Sequence, residues 1–244
     1  MRVETNERLA RRNRQVAQYL FFATFGILIL GLLFINQQVA TVTEENVLPI
    51  TLLQAAILPV AFITTIISVR MTNLWVRQPR PEVVIREGLK GISNKSVLYN
   101  YYHFPARHVL ICPQGVYAMV TRFQEGHFTV EGDRWKTRKS AISRVLGIFR
   151  FDNIGDPTGD AQRAAAHIQS ILKPIAPEIE VHPLIVFVDP KAEVVALKPT
   201  VPVVYPSGKR SPVLKDLLRD VGKDSRMSLT PEQIEAFEAA TIRR

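Results

Sequence analysis

The hydrophobic positions of this chain are concentrated in two long uncharged runs near its amino terminus. Residues 19–35 read YLFFATFGILILGLLFI, and residues 47–69 form the second run. A membrane-spanning helix needs about 20 consecutive apolar residues, and aromatic side chains toward both ends of a run are typical of a membrane interface. The pattern therefore predicts a hairpin of two transmembrane helices within residues 18–70.

Each run also has an alternative interpretation. The first could be a secretory signal peptide with a basic amino-terminal region, but its apolar core exceeds the roughly 7–15 residues that are usual and no small-residue cleavage site follows. The second contains Pro49 and Pro59 and could be a buried helix of a soluble domain. A run of 23 residues without a charge is long for such a helix, and membrane helices tolerate proline. Two retained spans are therefore favoured.

The distribution of arginine predicts the orientation of this hairpin. Residues 1–17 form a basic segment that contains Arg2, Arg8, Arg11, Arg12 and Arg14, and residues 71–81 form a linker that contains Arg77 and Arg80. The connector at 36–46 has two glutamates and no Lys or Arg. The positive-inside rule then places both termini in the cytoplasm. We expect a multi-pass protein of the inner (plasma) membrane, with the lipid bilayer as its first partner.

Composition limits the remaining function classes. The formal net charge is +9, of which residues 1–81 supply +4, so much of the basicity serves membrane topology and is weak evidence for nucleic-acid binding. A single cysteine, Cys112, excludes an internal disulfide and a cysteine-based zinc site. The chain has no serine-hydrolase elbow, no glycine-rich dinucleotide loop and no complete P-loop.

Beyond residue 81 the hydrophobic pattern changes to short runs that are separated by turn residues. It predicts a helix at 82–91, a hairpin of strands at 108–112 and 116–120, a third strand at 126–131, a helix at 157–172, strands at 181–188 and 201–205, a helix at 211–221 and a last helix that begins with the capping box of Thr230 and Gln233. This order predicts a three-layer α/β domain with a mixed sheet at residues 82–222. A linker and the last helix would follow at 223–244.

Several short motifs of this domain occur in a fixed succession. They are VLYN at 97–100, RHVLI at 107–111, GVYAM at 115–119, GHF at 126–128, GDRW at 132–135 and DP at 156–157. The succession resembles the nuclease-related domain (NERD) family over residues 82–221. The resemblance implies a PD-(D/E)xK restriction-endonuclease-like core.

This sequence has other residues at the catalytic positions that the resemblance implies. Active members are expected to have an Asp directly before the histidine of the RHVLI motif, at the position where this chain has Arg107. They are expected to have Glu-x-Lys after the glycine-aromatic strand, where Val120 and Arg122 stand, and a helix Gln where Asp160 stands. Mg²⁺ needs hard oxygen ligands, which valine and arginine do not offer. We therefore expect a degenerate site, a pseudoenzyme without a metal or other cofactor.

An active nuclease remains the alternative to this interpretation. Glu87 or Glu82 could supply a helix carboxylate, and relocated carboxylates could then hold Mg²⁺. A second carboxylate cluster, formed by Asp152, Asp156 and Asp160, could also suggest a metal triad. These acids are better explained as a loop residue and helix amino-terminal residues, because negative charge is favourable at the start of a helix. The five histidines have no metal-ligand spacing.

A basic stretch follows the strand at 126–131. No acid occurs from Arg134 to Phe151, and the cations of this stretch are Arg134, Lys136, Arg138, Lys139, Arg144 and Arg150, with Trp135 among them. Such a pattern predicts a surface for polyanions, either nucleic acid or anionic lipid headgroups. A solvated face toward the inner leaflet is the simpler alternative.

Together these features predict a membrane-anchored module that binds or scaffolds rather than cleaves. Its ligand would be nucleic acid, anionic lipid or a protein. Two other functions stay open at this point: an active metal-dependent nuclease, and a structural partner of another membrane protein that uses the hairpin itself.

Overall fold

The computed structural model describes residues 1–39, 47–138, 153–208, 210–221 and 228–242. Within these residues the chain is a mixed α/β protein with a six-stranded mixed sheet and two long apolar helices near the amino terminus. It divides into two compact units. One consists of Met1–Glu7 together with Pro79–Arg244, and the other is Arg8–Gln78.

The smaller unit contains the two apolar helices, α1 (Glu7–Val39) and α2 (Val47–Trp75). Both are long and apolar enough to cross a membrane by length and composition. Helix α1 begins twelve residues before the apolar run, because the arginine-rich segment continues the same helix. The hydroxyls of Thr64 and Thr65 donate to the carbonyl of Ala61 at 3.0 and 2.6 Å, so these polar groups are satisfied within α2.

A small residue marks the contact between α1 and α2. A Cβ atom at Gly31 would lie 3.0 Å from Cγ2 of Ile57, so glycine allows the two helices to approach closely at this level. Small residues at helix contacts are typical of helices that associate in membranes, where close backbone approach increases van der Waals contact.

The larger unit is organised around the six-stranded sheet. Its strands are β1 (Arg2–Thr5), β2 (Val97–His103), β3 (Ala106–Cys112), β4 (Gly115–Arg122), β7 (Val181–Phe187) and β9 (Val203–Val204), in the spatial order β1-β2-β3-β4-β7-β9. Strands β2, β3 and β4 are antiparallel, whereas β1 is parallel to β2 and β7 is parallel to both β4 and β9.

Helices cover both faces of this sheet. On one face α4 (Pro157–Leu172) and α6 (Pro231–Thr241) bury Ile168, Leu172 and Phe237 against Val109 and Ile111. On the other face α3 (Pro81–Gly88) and α5 (Leu214–Val221) bury residues such as Ile85, Leu214 and Leu218 against Leu98, Leu110 and Met119. This arrangement confirms the predicted three layers, since each amphipathic helix buries one apolar stripe on the sheet.

A second sheet of three strands packs beside the first. Its strands are β5 (Gly126–Glu131), β6 (Arg134–Arg138) and β8 (Ala192–Leu197), in the order β6-β5-β8. Phe128 and Val130 face a third apolar cluster that also contains Phe187. The strand predicted at 126–131 is therefore confirmed, but it belongs to this smaller sheet. The sequence did not predict β6 or β8.

The helix ends confirm some predictions and correct others. Helix α4 begins as expected, with the Asp156 side chain accepting a hydrogen bond from the Gly159 amide at 2.9 Å, and the capping box of α6 is present. Helix α3 ends at Gly88 instead of residue 91. Helix α5 begins at Leu214 instead of residue 211, because Val213 is held in a parallel bridge with Tyr205.

Strand β1 was not predicted, because its residues are mostly polar. It pairs with residues 97–100 of β2, and the Asn100 side chain donates to the Thr5 hydroxyl at 3.0 Å. The Arg2 guanidinium forms an ion pair with the buried Glu238 of α6, and the Tyr99 hydroxyl donates to the same carboxylate at 2.7 Å. Residues 1–7 are therefore part of the folded domain and not of a separate segment 1–17, and α6 belongs to the same core.

We expect the substitution Arg2→Ala to lower the free energy of unfolding of this unit by about 2 kcal/mol, because it removes the Arg2 guanidinium from the buried Glu238 carboxylate. Thermal unfolding of the full chain in detergent, followed by near-ultraviolet circular dichroism, measures the change. Arg86→Ala is the control, because Arg86 is exposed on α3, and should cost less than about 0.5 kcal/mol. Equal effects of the two substitutions would contradict a structural role for the ion pair.

Candidate functional site

Two of the positions that the sequence resemblance singled out, Arg122 and Asp160, meet at the carboxyl end of β4. Arg122 is the last residue of this strand, and its Nη2 atom lies 2.5 Å from Oδ2 of Asp160 in the first turn of α4. The other carboxylate oxygen of Asp160, Oδ1, lies 2.5 Å from Nη2 of Arg163. Both oxygens of Asp160 therefore bind guanidinium groups.

Local sequence explains why this helix begins beside β4. Asp156 caps the helix and Pro157 occupies its first position, where the missing amide hydrogen costs nothing. Asp160 then falls in the first turn, where the partial positive charge of the helix dipole favours a carboxylate. The acids at 156 and 160 thus lie at the helix amino terminus, as the sequence indicated, and Asp160 also forms ion pairs that the sequence did not predict. Asp152 lies outside the described residues.

The Arg122 side chain is largely removed from solvent. Only 11% of it is exposed, compared with 44% for Asp160. Burial lowers the pKa of Arg122, while the hydrogen bond from its guanidinium to Asp160 and the charges of Asp160 and Asp156 oppose this effect. A second nitrogen, Nη1, donates to the Thr121 carbonyl at 3.2 Å. The guanidinium is therefore fixed as a structural cation at this end of the sheet.

The other two strand positions that the resemblance singled out, Val120 and Arg107, do not offer metal ligands. Val120 is partly buried and packs against two of the apolar clusters. Arg107 lies in β3, next to the fully buried His108. Burial, with a smaller contribution from the Arg107 charge, lowers the pKa of His108 to about 3, and its Nδ1 atom lies 2.8 Å from Oδ1 of Asn100. His108 is thus a neutral packing residue.

The carboxylates of α3 are not brought to this site. Helix α3 packs on the face of the sheet opposite to α4. Glu87 is exposed there, and Glu82 accepts a hydrogen bond from the Tyr101 hydroxyl at 2.7 Å. Across the part of the chain that the structure describes, no group of three or more His, Cys, Asp or Glu side chains is placed to hold a metal ion.

The basic stretch is divided by the alternation of strand β6. Trp135 points inward, stacks on Phe187 with ring centroids 5.9 Å apart, and donates from Nε1 to the Thr158 hydroxyl at 2.8 Å. Arg134 and Lys136 are exposed on the opposite side of the strand. Trp135 is therefore held by the protein core, whereas the sequence had grouped it with the cations. Arg138 ends β6, and Lys139, Arg144 and Arg150 lie outside the described residues.

One participant of the site was missed by the sequence analysis. Arg163 binds the second oxygen of Asp160, and it stands three residues after it on the same helix. Side chains at this spacing are neighbours on a helix surface, so the pair could have been predicted. The contact of Asp160 with Arg122 could not, because the two residues are distant in sequence.

Comparison with known proteins adds no further assignment. No protein-family model matches the chain, and no curated protein or solved structure matches it. The resemblance to the NERD family therefore rests on the motifs quoted above and stays a prediction.

We expect the two partners of the ion pair to respond unequally to substitution. Asp160→Ala leaves the poorly exposed Arg122 cation without its carboxylate and should lower the free energy of unfolding by about 3 kcal/mol. Arg122→Met should cost less than about 1 kcal/mol, because Asp160 stays hydrated and keeps Arg163. Denaturant unfolding of the full chain in detergent measures both values.

Two further variants control this measurement. Arg163→Met removes the outer guanidinium alone and should change the free energy of unfolding by less than about 0.5 kcal/mol. The double variant of Asp160→Ala and Arg122→Met should resemble Arg122→Met, since no buried cation is then left unpaired. An Arg122→Met variant that is as unstable as Asp160→Ala would refute the proposed asymmetry.

Proposed function

We propose that this protein is a membrane-anchored, cytoplasmic nuclease-related domain whose metal site has been replaced by an ion pair, and that it acts as a binding or scaffolding module. The observation that carries this proposal is the contact between Arg122 and Asp160 at the end of β4. It occupies the place where the family resemblance implies a metal ion and its ligands.

The chemistry of this place is unsuited to a divalent cation. A metal that assists phosphodiester cleavage needs several oxygen ligands facing one space. Val120 contributes apolar surface there, and Asp160 already binds two guanidinium groups through its two oxygens. The fixed positive charge of Arg122 would also repel a metal ion. These contacts support the loss of cleavage activity while the fold is kept.

The sheet topology supports the proposed relationship. The element order α3, β2, β3, β4, β5, β6, α4, β7, with a mixed sheet between two helical layers, is compatible with the restriction-endonuclease-like core that the resemblance implies. Fold alone does not establish function, so the proposal depends on the residues at the end of β4.

Strand β1 supports the membrane topology. It precedes α1 in the chain, yet it pairs with β2, which follows α2. Strands that exchange backbone hydrogen bonds must lie on the same side of a bilayer. Residues 1–7 and 79–244 then share one side, so the segment between them crosses the bilayer an even number of times. The arginine-rich flanks assign that side to the cytoplasm.

The topology predicts the position of two reporters. A fluorescent protein fused after Arg244 should be fluorescent in the cytoplasm, whereas alkaline phosphatase fused after Gln38 should be active outside it. The same phosphatase fused after Arg77 is the matched control and should be inactive, because the chain has then returned to the cytoplasm. An active phosphatase at Arg77 would contradict the hairpin.

The loss of the metal site predicts that no nucleic acid is cleaved. The purified full chain in detergent should leave single-stranded and double-stranded DNA and RNA intact in the presence of Mg²⁺ or Mn²⁺, as judged by gel electrophoresis. Should cleavage occur, the variant Glu87→Ala decides its origin, with Glu180→Ala as an exposed control. Metal-dependent cleavage that Glu87→Ala alone abolishes would establish the active-nuclease alternative.

A further inference from the structure

The solvent-facing side of the small sheet carries an unusual pair of apolar residues. On strand β8, Val195 is 57% exposed and Leu197 is 51% exposed. Val194, the residue before Val195, packs against the third apolar cluster, and its backbone amide donates a hydrogen bond to the Tyr205 hydroxyl at 2.9 Å. Strand alternation therefore directs Val195 and Leu197 to the opposite side, which we call the outer face.

The strand register arranges the outer face in three columns, one on each strand of the small sheet. Leu197 lies opposite Glu131, which lies opposite Arg134. Val195 lies opposite Thr129, which lies opposite Lys136. The outer face thus has an apolar column on β8, a polar column on β5 and a cationic column on β6.

The acids of this face are compensated by neighbouring cations. Lys136 lies 3.9 Å from Glu131, and Glu193 lies 3.0 Å from Arg210 and 2.7 Å from His127. Among the described side chains, three cations, Arg134, Lys136 and Arg210, stand against two carboxylates, Glu131 and Glu193, so a net positive charge of one lies beside the exposed apolar column. This combination is typical of a surface that enters the interface of an anionic bilayer, where apolar side chains reach the acyl boundary and cations contact headgroups.

We propose that the outer face docks onto the anionic lipid headgroups of the bilayer to which the chain is anchored, with Val195 and Leu197 inserted between headgroups and Arg134 and Lys136 beside their phosphates. This inference rests on the membrane anchoring in the proposed function. It refines the polyanion surface predicted for the basic stretch by naming its ligand and by adding β8 to it.

Two observations favour lipid over nucleic acid as the occupant. Trp135 faces the core and is engaged with Phe187 and Thr158, so it is not available as a platform for bases. The exposed Val195 and Leu197 gain from an apolar environment, which a phosphate backbone does not supply.

Anchoring also raises the effective lipid concentration, so that a few weak contacts suffice. Each cation contributes about a fivefold gain in partitioning to an anionic surface.

A fluorophore on the outer face tests this proposal. The variant Val195→Cys of the full chain carries a single reactive thiol, because Cys112 is buried. It is labelled with an environment-sensitive dye and placed in nanodiscs of phosphatidylcholine alone or of equal parts phosphatidylcholine and phosphatidylglycerol. We expect a blue-shifted emission in the anionic discs, and loss of the shift at high salt.

Matched variants identify the residues responsible. Reversal of both cations, Arg134→Glu with Lys136→Glu, should abolish the shift, whereas the charge-matched pair Arg86→Glu with Lys90→Glu on α3 and the turn after it should leave it unchanged. The same dye at Ala166→Cys, an exposed position of α4, should not respond to lipid charge. A shift at Ala166 equal to that at Val195 would overturn the assignment of the outer face.

The remaining outcomes separate this inference from the proposed anchor. A chain that enters the discs but shows no shift at Val195 retains its anchor and refutes docking. A chain that does not enter either type of disc refutes the anchor itself. In phosphatidylcholine discs, an emission shift produced by an added oligothymidylate would assign the outer face to nucleic acid. An emission shift that grows with protein concentration would assign it to a second copy of the chain. Either result would overturn the lipid proposal.

Discussion

Backbone hydrogen bonds between β1 and β2 bring segments that precede and follow the helical pair in the chain into one sheet. The strand has only four residues, and its position is reinforced by the ion pair of Arg2 with Glu238 and by the bond between Thr5 and Asn100. The proposed location of both flanks on one side of a bilayer depends on this pairing, because hydrogen bonds of about 3 Å require direct contact. It also makes the first residues part of the domain core.

The end of β4 illustrates how a strand and a helix can be joined by one pair of opposite charges. An arginine on the strand and an aspartate on the helix satisfy each other where the proposed ancestry implies a metal ion and its carboxylates. The helix cap at Asp156 and the packing of α4 are formed by contacts within the protein. Side chains thus balance each other's charge at this junction, and because Arg122 is the more deeply buried partner, we expect loss of the aspartate to cost more than loss of the arginine.

The basic stretch shows why neighbours in sequence are a poor guide to a shared surface. Trp135 lies between Arg134 and Lys136 in the chain, yet strand alternation sends the indole into the core and the two cations to solvent. The residues that share the outer face with these cations come instead from β8, about sixty residues later in the chain. Cross-strand register, rather than sequence order, determines which side chains can act on one ligand.

Local patterns in the sequence determined the two apolar helices, the hairpin of β3 and β4, the capped helices α4 and α6 and the parallel strand β7. Each follows from spacing or capping within a short segment. The polar strand β1, the strand β8, the placement of β5 in a separate sheet and the late start of α5 could not be predicted in this way, because pairing with other segments of the chain decides them. The sequence also did not predict β2 and β6, which pair with the neighbouring strands β3 and β5. The same limit applies to the site: the sequence identified Arg122 and Asp160 as departures from a family pattern, but only the packing of α4 on β4 decided that they bind each other.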